Sequence, residues 1–185
     1  MKTILTLPDR ALAWTEPMTV PVMTTLARFV FAAVLFWYFI NSGLTKVDGL
    51  GSFFSPSFNA FAQIYPNAAL AVSYDITQAT GFQKLVMLAG VWAEFILPTL
   101  VVVGLFTRAA AFGMIGFVVV QSLTDMMGHG AEAGAWFDNL SDAAILDQRA
   151  FWVFLLLYLV FRGAGPLSVD RALFGGSEKE EAEAV

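Results

Sequence analysis

The chain contains no cysteine. Thiolate nucleophiles, disulfide shuttling and cysteine-ligated iron–sulfur or zinc sites are therefore excluded for this chain alone. Histidine is almost as scarce. His129 is the single one in 185 residues, so a multi-histidine haem or metal site within one copy is not expected. Only 14% of residues are charged, against about a quarter in soluble domains. The formal charge is −5, and no basic cluster of the kind that tracks nucleic acid is present. No early apolar run, Ile4-Leu5 included, is long enough for the core of a secretory signal. Residues 1–25, with Pro8, Pro17 and Pro21, read as a polar cytoplasmic arm carrying a surface helix near residues 10–14.

What remains is apolar. Hydrophobic residues make up 58% and aromatics 15%, and the mean hydropathy is +0.70. This composition describes an integral membrane protein of one domain. Spans are expected at about 26–44, 85–106, 109–124 and 143–162, within a membrane domain covering residues 26–171. An acidic, disordered tail is expected over residues 172–185. The fold class that follows is all-α: an antiparallel four-helix bundle with a long, partly helical loop between spans one and two.

Residues 85–106 are the most telling stretch. They run LVMLAGVWAEFILPTLVVVGLF, with Glu94 as the only charge. At 1.5 Å per residue the stretch is about 33 Å long, enough to cross a bilayer core. A carboxyl group in hydrocarbon costs at least ~2 kcal/mol, so Glu94 should face protein or a wet cavity. Pro98 has no N–H and frees the Glu94 carbonyl of its helical partner. Arg28 opens the first span and would complete a polar core with Glu94 and Pro98 if its side chain reached inward along Ala32. A carboxyl group held in a low-dielectric site suits proton exchange, while the plainer reading is a hydrogen bond to another span.

A second polar cluster is expected near the outer surface: Asn41 and Lys46 from span one, with Gln121, Asp125 and His129 from the end of span three. Ordinary interfacial polarity is the plainer reading here, and a ligand-head or partner site the sharper one. Arg28 and Lys46 lie 18 residues apart, on one helical face, and each would ordinarily snorkel to its own headgroup layer. Ala109, Gly113 and Gly116 offer a small-residue face for close helix contact.

The connection over residues 45–84 is too long to be structureless. Ser55-Pro56 signals a helix start, Phe54, Phe58, Phe61 and Tyr65 follow at helical spacing, and Pro66 ends the run. A second short helix is expected from Asn67 to Tyr74. Past the last span, Ser168 reads as a helix cap, and Asp170 as a salt-bridge partner for Arg108 in the turn between spans two and three. Seven of the ten basic residues fall on the side that holds both termini, which the positive-inside rule makes cytoplasmic.

These pieces together resemble the DoxX family of small four-span bacterial membrane proteins. The resemblance rests on Arg28, on Gly43-Leu44-Thr45-Lys46, on Glu94, on GLFTR at 104–108 and on GAGPLSVD at 163–170, in that order along four spans. It covers the membrane core, while the loop at 47–83 looks longer than is usual. It implies a place in the bacterial inner membrane and redox-linked work, because the family includes a subunit of a thiosulfate:quinone oxidoreductase. Arg28, Glu94 and Asp170 carry over as motif positions, not as catalytic residues, and no catalytic residue is assigned.

The leading expectation is therefore an accessory or quinone-interacting subunit of a membrane redox assembly. The alternative is a non-catalytic membrane scaffold or anchor for a partner protein. A bound quinone is the expected cofactor, with no metal, haem or iron–sulfur cluster ligated by this chain alone. The lipid bilayer and a protein partner or second copy are the expected contacts. A solute transporter is disfavoured, since there is no internal repeat and only one interrupted span.

Overall fold

A computed structural model describes residues 16–175. The surface helix expected near residues 10–14 and the tail beyond residue 175 lie outside them. Among the described residues, four helices are long and apolar enough to cross a membrane: α1 (Glu16–Leu44), α4 (Gly81–Val103), α5 (Thr107–Gly128) and α6 (Ala144–Arg162). Between the first two lie short helices α2 (Phe58–Ile64) and α3 (Pro66–Ala71), and α7 (Val169–Phe174) follows the last. The spans form an antiparallel bundle in which α1 touches α4 and α6, and α5 touches α4 and α6.

Helix α1 begins well before residue 26, so the arm expected over residues 1–25 is helical from Glu16 onward. The prolines that suggested a break are tolerated. Pro17 sits in the first turn, where its missing N–H would be unpaired anyway. The carbonyl of Pro21 accepts the hydroxyls of Thr24 and Thr25 at 3.1 and 2.8 Å. Residues Phe31–Phe36 of the same helix are π-helical. The tail also starts later than residue 172, because α7 runs through Phe174.

Helix α4 starts at Gly81, earlier than expected, because Thr80 and Gln83 form a capping box: each side chain serves the other's backbone N–H. It continues through the buried Pro98 and stops at Gly104, whose φ of 74° favours glycine. Helix α5 extends beyond the expected 109–124 at both ends. In the connecting loop the cap is Ser57, which accepts from the Ala60 N–H at 3.0 Å, so α2 starts just after the anticipated Ser55-Pro56. Pro66 then opens α3 as it closes α2.

Two apolar clusters hold the bundle. Phe31, Phe39, Met114 and Leu156 are fully buried among α1, α5 and α6. Phe61, Met87 and Val91 pack α2 against the first half of α4. The long loop is thus a lid on one half of α4, while α1 covers the other. Large apolar side chains such as Phe29, Phe112, Phe151 and Phe161 point outward along the spans. Outward apolar faces on spanning helices mean contact with lipid.

Candidate functional site

Glu94 is 2% exposed. Its carboxylate Oε1 accepts from Lys46 Nζ at 2.9 Å and from the Ser42 hydroxyl at 2.8 Å. Lys46 folds back by one helical turn, donating also to the Ser42 carbonyl and hydroxyl at 3.1 and 2.9 Å. The lysine therefore does not snorkel outward. Its three protons have three acceptors inside the protein, and the buried carboxylate holds it there. The other carboxylate oxygen, Oε2, is buried with no hydrogen-bond partner among the described residues.

Arg28 does not reach Glu94, and the expected core of Arg28, Glu94 and Pro98 is not one cluster. Arg28 donates to the carbonyls of Val101 (3.1 Å), Ala164 (3.1 Å), Val102 and Leu167. The carbonyls of Val101 and Val102 belong to the last turn of α4, where no helical N–H follows. Arginine's fork supplies the donors, and its charge suits the negative end of the helix dipole. So Arg28 is a helix cap, and like Lys46 it turns inward.

Glu94 lies instead on the wall of a cavity of ≈ 540 Å³ between α4 and α5, roofed by Gln63 and Ile64 of α2. The opposite wall carries Gln121, Asp125 and His129. Two groups that the sequence suggested as separate candidates thus share one space, with Lys46 common to both. Asn41 does not join them. It is exposed, and its neighbour Ser42 takes the inward place. Pro98 is absent from the wall, where Leu97 stands instead.

The cavity exists because its walls are small. Ala89, Gly90 and Ala93 face it from α4, and Gly113 and Gly116 from α5. A Cβ added at Gly116 would meet nothing within 4 Å. The small-residue face anticipated as a tight helix contact therefore opens space at this position.

The polar side chains of the far wall are individually anchored. Gln121 donates to the Tyr38 hydroxyl at 2.8 Å, and its Oε1 is buried without a partner. Asp125 pairs with Arg149 at 2.5 Å, and Arg149 also donates to the Ser122 hydroxyl at 2.9 Å. His129 Nε2 lies 2.9 Å from the Gln63 carbonyl, which ties the end of α5 to the roof. Three contributors escaped the sequence reading: Ser42, Gln63 and Arg149. Arg149, in the first turns of α6, is 6% exposed. The signal for it was available, since an arginine at the start of a span needs a carboxylate at the same level, and Asp125 is there.

At the other end of α4 the expected pair of Arg108 and Asp170 does not form. Asp170 accepts from the backbone N–H groups of Phe106 (2.7 Å) and Thr107 (3.0 Å), capping α5. Two amides at a positive helix end satisfy a carboxylate better than one exposed guanidinium. Ser168 caps α7 as anticipated, accepting from the Arg171 N–H at 3.1 Å.

Residues 23–124 match the model of the DoxX family. No curated protein matches the chain, and neither does any solved structure.

Proposed function

This chain belongs to the DoxX family, and on that premise we propose that it is a quinone-interacting subunit of a redox assembly in the bacterial inner membrane, with both termini cytoplasmic. The observation that carries the reading is Glu94 on the wall of a ≈ 540 Å³ cavity, with its Oε2 buried and without a hydrogen-bond partner among the described residues. That volume falls in the range of about 300–1,000 Å³ typical of small-molecule sites.

The residues present fit a flat, apolar ring with polar edges. Ala93, Leu97 and Phe117 give apolar walls, and Glu94 and Gln121 give polar ends. A bound quinone would supply the two-electron, two-proton carrier. Glu94 would hold a proton, or receive one, at Oε2. Lys46 and Ser42 fix Oε1, so that exchange is confined to the oxygen left free. The roof from α2 would keep bulk water from the ring. Electrons would come from a partner chain.

The test is binding of a short-chain benzoquinone to the full chain in detergent, read by native mass spectrometry, for wild type and Glu94→Gln. Wild type should bind at one per chain, and Glu94→Gln about tenfold more weakly with its fold intact. If wild type fails to bind, or the variant binds equally well, the redox reading falls. The scaffold reading would then rest on the exposed Trp136, Phe137 and Leu140 of the loop between α5 and α6.

A further inference from the structure

A second groove, of ≈ 670 Å³, lies at the end of the bundle where Arg28 and Asp170 cap the turn between α4 and α5. Three arginines line it from three different helices: Arg108 in the first turn of α5, Arg162 at the end of α6, and Arg171 in α7. All three are exposed, and none makes a side-chain hydrogen bond or ion pair among the described residues. Asp170, the carboxylate in the groove, spends both oxygens on backbone amides. Phe106 and Pro21 supply apolar wall beside the cations.

Hydrogen bonds and ion pairs among the described residues do not account for this arrangement. Three guanidinium groups around one groove repel each other. Arg108 also sits at the positive end of the α5 dipole, where a cation is disfavoured. An anion between them offsets both costs, and guanidinium forks match phosphate oxygens in pairs. The groove lies at the ends of spanning helices, so phosphate tethered to acyl chains would meet the arginines and the apolar wall together.

We infer that this groove binds a phosphate-bearing anion, in the first place the headgroup of an anionic phospholipid in the adjoining leaflet. The site is separate from the cavity at Glu94 and does not depend on the reading of that cavity.

The experiment is native mass spectrometry of the full chain titrated with dioleoylphosphatidylglycerol, with dioleoylphosphatidylcholine, and with inorganic phosphate as competitor. Phosphatidylglycerol should be retained about tenfold more strongly than the zwitterionic lipid. Arg108→Gln and Arg162→Gln should each lower that retention about fivefold, the weight of one cation beside an anionic surface. Arg162→Lys should keep most of it. Lys84→Gln, at the opposite end of α4, should change nothing. Loss of lipid on adding millimolar phosphate would identify a free anion as the ligand, and insensitivity to phosphate would identify the lipid. Equal retention of the two lipids overturns the proposal. So does full retention of phosphatidylglycerol by a folded Arg108→Gln/Arg162→Gln/Arg171→Gln protein.

Discussion

Lys46 Nζ stands 2.9 Å from Glu94 Oε1, with the two side chains 10% and 2% exposed. The pair ties the end of α1 to the middle of α4, and it takes a lysine away from the solvent that its position would have offered. Removing one partner leaves the other charge buried and alone. Lys46→Met should therefore destabilise by about 3–5 kcal/mol, while Lys46→Met combined with Glu94→Leu should recover much of the loss. Thermal unfolding in one detergent, run as a double-mutant cycle, measures the coupling.

Arg28→Lys keeps the charge and loses the fork. One ammonium cannot serve four carbonyls spread over α4 and the chain after α6. A loss of roughly 2 kcal/mol is expected, set by the charge-assisted bonds left unmade. Arg28→Lys should unfold at a lower temperature while still binding quinone, because its contacts are remote from the cavity. Loss of quinone binding without loss of stability would contradict the capping role.

Asp170→Ala releases the amides of Phe106 and Thr107. The expected cost is about 1–2 kcal/mol, as for other helix caps. Hydrogen exchange should show faster exchange at those two amides first. Asp170→Asn keeps one acceptor and should fall between wild type and Asp170→Ala.

Gly116 separates a cavity from a packing contact. Gly116→Ala should stabilise by up to about 1 kcal/mol, since glycine inside a helix costs about that much and the new methyl meets no atom. Gly116→Leu should fold yet weaken quinone binding about tenfold by occupying the space. Unimpaired binding in a folded Gly116→Leu protein would move the ligand elsewhere.

Asp75 offers a pH dependence outside the spans. The Thr77 hydroxyl, the Gln78 amide and the Thr77 N–H hold its carboxyl below the ordinary carboxylate range. A depressed value means that the charged form is favoured on folding. Its contribution is present above the unfolded value of about 3.9 and is lost as pH falls through the lower folded value. Exchange of the Thr77 amide, corrected for intrinsic rates, should stay protected through the ordinary carboxylate range and lose protection only at more acid pH, and Asp75→Asn should abolish that dependence.

Sequence pattern carried the four spans because hydrophobic length is a direct consequence of bilayer thickness. It carried Glu94 for the same reason: a lone carboxyl in an apolar run must find a partner. The identity of the partner was not legible. Arg28 and Lys46 lie on one face of α1, and which of them meets Glu94 depends on how α1 crosses α4 and on a lysine bending back along its own helix. Asn41 and Ser42 are adjacent in sequence and differ only in rotation about α1. Gly113 keeps the expected close contact, since a Cβ there would meet Leu97 at 3.1 Å, whereas Gly116 faces open space, because a small side chain equally permits a void where the neighbouring wall is small as well. The early start of α1 was hidden by Pro17, which is harmless in the first turn, and by Pro21, which α1 carries inside it.

The turn between α4 and α5 has a bearing on how the chain is made. Its carbonyls are held by Arg28, from the first of the four spans, and its amides by Asp170, beyond the last of them. Gly104 has no room for a side chain because Arg28 and Ser168 both crowd it. During synthesis the joint stays open until residues 168–170 arrive, so its closure reports that all four spans are inserted. A nascent chain stalled before that point would present polar backbone at the membrane edge, the kind of exposed group a quality-control protease can recognise.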